Sequence, residues 1–264
     1  MVRLLLLIFL QLSVVFSFGQ QADQLLSKAY KANSLADLQS FFENWAMETP
    51  AITKQEFEGL NDTIKNIYGA FPVFYNPKDI QRSGGSEWGD NIYKDVQYLL
   101  VQERLLCAVT DTIIIPDSAA RRRQPEPYFI TPERYDTLKH FRPALSLTGA
   151  KAVFLTGRYD TLLNVFLGSK HYKMGYGNIM APARSKGQSE KRKKFLENYI
   201  RIFYGHWGGY WQLPSYPYVS TITFDRGFNN AVIHFRMIYQ GGYAYLKKIE
   251  NVWVLEKSEL TWIE

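Results

Sequence analysis

Two places in the chain carry side chains suited to recognition or proton chemistry. The first is His206-Trp207-Gly208-Gly209-Tyr210-Trp211, continued by Tyr216. Trp207, Tyr210 and Trp211 offer flat apolar faces with polar edges, and the glycines let backbone come close to a ligand. Such a surface stacks on sugar rings or other flat molecules, so a small molecule or a glycan is the expected partner. The same rings would serve equally as core at the open end of a sheet, and exposure separates the two readings. The second place is His234 with Arg236, on one side of a single strand. Lining a concave sheet, a histidine beside a carboxylate would be placed to move a proton. On an outer face both side chains would simply be solvated.

Other chemistries find no support in the spacing. The chain has no HExxH, no paired CxxC and no Gly-x-Ser-x-Gly, and His140, His171 and His206 show no metal-ligand spacing. Neither a metal nor a cofactor is therefore expected. Cys107 is the single cysteine, which excludes an intrachain disulfide; among Leu105, Leu106 and Val109 it reads as a buried, inert thiol. The formal net charge is +6, gathered at Arg121-Arg122-Arg123 and between Arg184 and Lys194. A nucleic-acid groove needs basic residues interleaved with aromatic ones, and these clusters stand apart from the aromatic run. They read as solvated faces, and no nucleic acid is expected as a partner.

The elements that must position these residues follow from periodicity and turn chemistry. Residues 1–20 read as an export signal: Arg3, an apolar core from Leu4 to Phe16 interrupted at Gln11 and Ser13, and the exit Ser17-Phe18-Gly19. Cleavage near Gly19 or Gln20 and a periplasmic or extracellular location are expected. No second apolar run of spanning length occurs, so no transmembrane anchor is expected after cleavage. Residues 21–83 form a helical N-terminal region. Ser34 is placed to cap a helix carrying Leu38, Phe41, Phe42 and Trp45, and Thr53 with Glu56 is a capping box opening a helix through Tyr68. Ser83-Gly84-Gly85-Ser86 marks a boundary, after which residues 84–264 form an α+β region. Within it, Val96–Ile115 is β-rich, Thr131-Pro132-Glu133 is a helix start, Ala152–Leu155 a strand and Tyr159–Leu167 a helix. The stretch Ser169–Gly187 lacks hydrophobic period and is expected to fold back on the aromatic run; a helix from Ser189 to Phe203 follows.

The pattern is plainest from Tyr218 to Glu264. It predicts antiparallel strands Tyr218–Phe224, Phe228–Gln240, Tyr243–Ile249 and Val252–Ile263, turning at Asp225-Arg226-Gly227, Gly241-Gly242 and Glu250-Asn251. Ala231, Ile233, Phe235 and Met237 share one face, which the Ser189–Phe203 helix is expected to cover. The predicted class is α+β: N-terminal helices, a central mixed segment and a curved C-terminal antiparallel sheet packed by a helix.

The end of the chain resembles the nuclear transport factor two-like superfamily, a cone-shaped α+β fold. The resemblance rests on the helix at Lys194–Phe203, the strand containing Ile233–Tyr239, Gly241-Gly242-Tyr243-Ala244-Tyr245-Leu246-Lys247-Lys248, Val252-Trp253-Val254 and Trp262-Ile263. It covers residues 190–264. The superfamily hosts enzymes with Asp/His acid–base pairs and many binding modules, so it implies no single activity. Two readings of function stand. One is a non-catalytic exported binding module using His206, Trp207, Tyr210 and Trp211; the other is a small-molecule enzyme of the cone-fold type with His234, joined by His206, as proton carriers in a sheet pocket.

Overall fold

A computed structural model describes residues 22–75, 96–114, 128–129, 132, 134–147, 149–168, 178–180, 187–204, 210–237 and 240–263. The expected export signal, the Ser83–Ser86 boundary, the 121–123 arginines, His206, Trp207 and most of 169–187 lie outside these residues.

Side-chain caps set the N-terminal helices. Helix α1 covers 22–32 and ends where Asn33 takes φ 48°. Ser34 caps α2 (Leu35–Glu48), its Oγ accepting from the Asp37 N–H at 3.1 Å. Thr53 and Glu56 form the expected capping box on α3 (Lys54–Glu58). The single helix expected to run on through Tyr68 is instead two: α3 ends at Gly59, and Asn61 caps α4 (Asp62–Ala70) by accepting from the Ile64 N–H at 2.9 Å. A short 3-10 turn, Phe71–Val73, completes the region.

The middle of the chain alternates strands and helices. In order come β1 (Tyr98–Gln102), β2 (Leu105–Thr110), β3 (Ile113–Ile114), β4 (Tyr128–Phe129), β5 (Asp136–Leu138) and β6 (Lys151–Leu155). No helix follows Pro132: residues 134–135 are irregular, and β5 pairs antiparallel with β2. Thr156 caps α5 (Gly157–Phe166), which Gly168 closes at φ 88°. Then come β7 (Asn178–Met180), α6 (Gln188–Leu196), β8 (Phe203–Tyr204) and β9 (Tyr210–Gln212). The expected helix to Phe203 stops early because the Asn198 side chain donates to the Phe195 carbonyl at 2.9 Å and the chain turns. The basic cluster on α6 is solvated in part: Lys191 and Lys194 are exposed, while its other two described cations are engaged. Arg192 donates to the Phe166 carbonyl at 2.7 Å, and Lys193, 4% exposed, reaches Glu197 at 2.8 Å.

The C-terminal strands are β10 (Tyr218–Asp225), β11 (Asn230–Met237), β12 (Gln240–Ile249) and β13 (Val252–Ile263). Glu250 and Asn251, at φ 49° and 65°, make the expected turn. Gly241 and Gly242 do not turn: both lie inside β12, and Met237 pairs with Gln240 instead. The sheet is six-stranded in the order β13-β12-β11-β10-β2-β5. The four C-terminal strands pair antiparallel throughout, as expected, and the parallel pairing of β10 with β2 makes the whole sheet mixed. Separate small sheets join β1 to β6 in parallel and β7-β9-β8 antiparallel. No helix among the described residues is long and apolar enough to cross a membrane.

Two large hydrophobic cores and one small cluster form among the described residues. In the first, α4 and the 3-10 turn cover the face of the six-stranded sheet that carries Ile222, Phe224, Ala231, Ile233, Phe235, Leu246 and Trp253. The expected cover, α6, lies in the other core, where Phe195, Leu196 and Tyr199 pack with α1, α2 and α5. Phe195 and Tyr199 are buried as expected, but against helices. The reason is local. Gly69 leaves room for the Trp253 ring, and buried Asn66 accepts from Trp253 Nε1 at 3.2 Å and from Lys248 Nζ at 2.6 Å, fastening α4 to β12 and β13. Replacing Asn66 by Ala strands the buried indole N–H and is expected to cost about 1–3 kcal/mol in urea unfolding. An unchanged midpoint would show that the fastening contributes nothing.

Cys107 is buried, its Sγ 3.6 Å from the Asp136 carbonyl, and burial pushes the thiol up to about 11. At neutral pH it is protonated and inert, as its apolar neighbours suggest.

Candidate functional site: the outer face of the sheet

Alternation on β11 turns Ala231, Ile233, Phe235 and Met237 into the first core and leaves Val232, His234 and Arg236 on the opposite face. Pairing then aligns neighbours from the flanking strands. One row runs Thr221, His234, Tyr243, Glu259, and the next runs Tyr218, Arg236, Gly241, Trp262. Tyr218, His234, Arg236, Tyr243 and Trp262 are all half-buried there. A third row, containing Val232 and Tyr245, is sealed by Ile113 of β3 and forms the floor at one end.

The side chains of these rows touch. His234 stacks on Tyr243 with centroids 4.9 Å apart and planes at 21°. Trp262 Nε1–H donates to His234 Nε2 at 3.4 Å, and the Arg236 guanidinium sits 5.8 Å from the Trp262 ring. Gly241 has no side chain where the Trp262 ring passes, which is what lets the ring lie across the strand. Beside them Lys257 Nζ lies 3.2 Å from the Glu259 carboxylate and 5.7 Å from the Tyr245 ring.

The hydrogen bond assigns the state of His234. Accepting at Nε2 makes it neutral with its proton on Nδ1. Burial also lowers its pKa, because the imidazolium would lose solvation. A histidine pKa below its unfolded value means the unfolded chain binds more protons through the window beneath about 6.5. This contribution to stability is therefore complete above that pH and is lost as the pH falls through the folded pKa. Protonation also breaks the indole bond. Trp262 fluorescence is expected to titrate below about pH 6.5, and His234→Gln is expected to abolish that transition; a transition that survives the substitution would assign it elsewhere.

The other candidate residues that the structure describes lie apart from this face. Trp211, 2% exposed, is part of the second core and meets Tyr204 edge-on at 6.3 Å. Tyr216 packs among Phe71, Phe74 and Tyr75, and burial raises its phenol pKa. For these two rings the core reading holds, since a ligand has no access to them. Tyr210 is placed by its backbone in β9, while His206 and Trp207 lie outside the described residues. The expected return of the 169–187 segment is visible in its described part, where β7 pairs with β9 and sets Ile179 opposite Trp211. Asp225 is occupied as a turn cap, accepting from the Asn229 N–H at 2.7 Å and the Asn230 amide at 2.7 Å. Among the described residues no group of His, Cys, Asp and Glu is arranged to hold a metal ion.

Sequence reasoning named His234 and Arg236 but missed the aromatic neighbours that complete their surroundings. Trp262 and Tyr243 were readable as strand residues facing that side only if the register of β12 on β13 were known. The chain matches no family model, no curated protein and no solved structure.

Proposed function

We propose that this chain is a non-catalytic binding protein whose ligand seats on the face formed by His234, Arg236, Tyr243 and Trp262. The observation that supports it is the arrangement itself: aromatic faces and cations half-exposed together on one rigid sheet, with Trp262 carried on the terminal strand. Flat rings suit a sugar or another planar molecule, and Arg236 suits a ligand that also bears a carboxylate. Binding rather than turnover is favoured because His234 Nε2 is engaged by an indole donor, and the carboxylate in its own row, Glu259, lies 3.2 Å from Lys257 Nζ. A carboxylate paired with the imidazole would favour proton chemistry instead. Export, carried by the apolar run at Leu4–Phe16, belongs to the same proposal, and N-terminal sequencing of the protein from its host tests it.

Titrating the protein with uronic-acid and neutral oligosaccharides tests the binding surface. The acidic sugars are expected to change Trp262 fluorescence saturably, and Trp262→Ala is expected to weaken them about tenfold or more. Equal binding by the Trp262→Ala protein would move the ligand surface elsewhere, and no response to any sugar would sink the glycan reading.

A further inference from the structure

A concavity lies on another part of the molecule, between α3, α4 and the end of β5. It has a volume of about 330 Å³ and is lined by Ile52, Leu60, Ile64, Tyr68 and Leu138, with Glu56, Lys139, His140 and Arg142 among its polar walls. That volume is at the small end of the range of ligand sites, roughly 300–1,000 Å³. Its floor is apolar and fixed: Ile52, Leu60, Ile64 and Leu138 rest on the first core.

The rim is held from every side. The Phe141 N–H donates to the Glu103 carbonyl at 2.9 Å, and the Arg142 carbonyl accepts from the Ile52 N–H at 2.8 Å. The Arg142 N–H donates to the Tyr68 hydroxyl at 3.2 Å. His140, at φ 57°, is turned away to place Nδ1 3.0 Å from Glu103 Oε1. Its left-handed backbone is uncommon for a residue with a side chain and persists because the surrounding bonds demand it. All of the bonds at Arg142 are made by its backbone, so its guanidinium takes no part in holding the rim. Neither Lys139 nor Arg142 is ion-paired among the described residues. The one carboxylate on the wall, Glu56, is already committed, its Oε2 accepting from Thr53 N and Thr53 Oγ1, each at 2.8 Å.

An apolar floor beneath two cations without a close ion pair, with the Glu56 carboxylate acting on Arg142 only from a distance, fits one kind of ligand. We propose that this cleft binds a small amphiphilic carboxylate, its apolar body on Ile52, Leu60, Ile64 and Leu138 and its carboxylate at Arg142 and Lys139. The planar guanidinium fork is suited to bidentate pairing with such a group, while Lys139 adds a point charge at the exposed edge. This site is separate from the sheet face, so each proposal stands or fails without the other.

Octanoate added to the full chain is the probe, followed by methyl shifts in nuclear magnetic resonance. Saturable shifts are expected at Ile52, Leu60, Ile64 and Leu138, with 1-octanol binding about tenfold more weakly. Arg142→Gln is expected to bring octanoate down to the octanol level and to leave octanol unchanged. Lys139→Gln, at an exposed position with no structural bond, is a second variant expected to weaken octanoate alone. Absence of shifts, octanol binding as tightly as octanoate, or charge-neutral variants that bind octanoate undiminished would each overturn the proposal. Trp262→Ala is expected to leave octanoate binding unaltered.

Discussion

Gly242→Ala is expected to destabilise the protein by more than about 4 kcal/mol, an exceptional loss for one added methyl group. The methyl would fall on the Glu259 carbonyl and the Leu260 Cα, both main-chain atoms of the paired strand. No rotamer change relieves a clash with backbone, so β12 and β13 would have to separate at the bulge where their register shifts. Gly241→Ala is a graded comparison. Its methyl meets mainly the Trp262 ring, a side chain that can leave, with the Phe235 carbonyl behind it at 2.8 Å. It is expected to destabilise less and to remove the Trp262–His234 contact. Urea unfolding followed by circular dichroism measures both, and a Gly242→Ala midpoint near that of the unsubstituted protein would refute the close-approach explanation.

Gln102→Leu is expected to cost roughly 2–6 kcal/mol, the sum of the two buried Val219 backbone groups left unpaired at about 1–3 kcal/mol each. Gln102 is 2% exposed, and its amide behaves as an extra peptide unit in the sheet. It accepts from the Val219 N–H at 2.6 Å and donates to the Val219 carbonyl at 2.7 Å and the Arg104 carbonyl at 2.6 Å. Those bonds carry β10 past the point where β1 gives way to β2. Gln102→Glu separates shape from hydrogen bonding. An ionised carboxylate can accept but cannot donate to the carbonyls, so the new carboxyl should have a folded pKa raised above its unfolded value. The variant would then regain stability as the pH falls through the folded pKa, have it in full below about 4.3, and lose it again as the pH rises through the folded pKa. A Gln102→Leu protein as stable as the parent would show that this amide merely fills space.

Strand existence was legible because alternation survives any error of register. Ala231, Ile233, Phe235 and Met237 face the core whichever strands flank β11. Partner strands were not legible. Counting outward from the Ile249–Val252 pair would set Gly241 opposite Leu260, yet bulges set it opposite Trp262, and that displacement creates the aromatic face. The paired glycines were read as a turn since glycine supplies φ > 0, whereas here it supplies missing volume beside a strand and a ring. Likewise the apolar stripe through Phe195, Leu196, Tyr199 and Ile200 did mark a buried segment, helical as far as Leu196, but a stripe carries no address. The hydrogen bonds of Asn66 chose α4 as the cover for the sheet, and they join residues 182 and 187 positions apart. Caps were the most faithful signals, being entirely local: Ser34 and Thr53 act as their spacing indicates.

The parallel pair β1 and β6 has a consequence for how the molecule comes apart. Leu99, Val101 and Phe154 belong to one core, while Tyr98, Leu100, Val153 and Leu155, their immediate neighbours along the same strands, belong to the other. The pair is a party wall: neither room can lose its packing without uncovering the back of the other. Heating should therefore produce a single calorimetric transition, with measured and van't Hoff enthalpies equal. The amides of Tyr98–Gln102 should be among the slowest to exchange with solvent, opening only when the whole structure does.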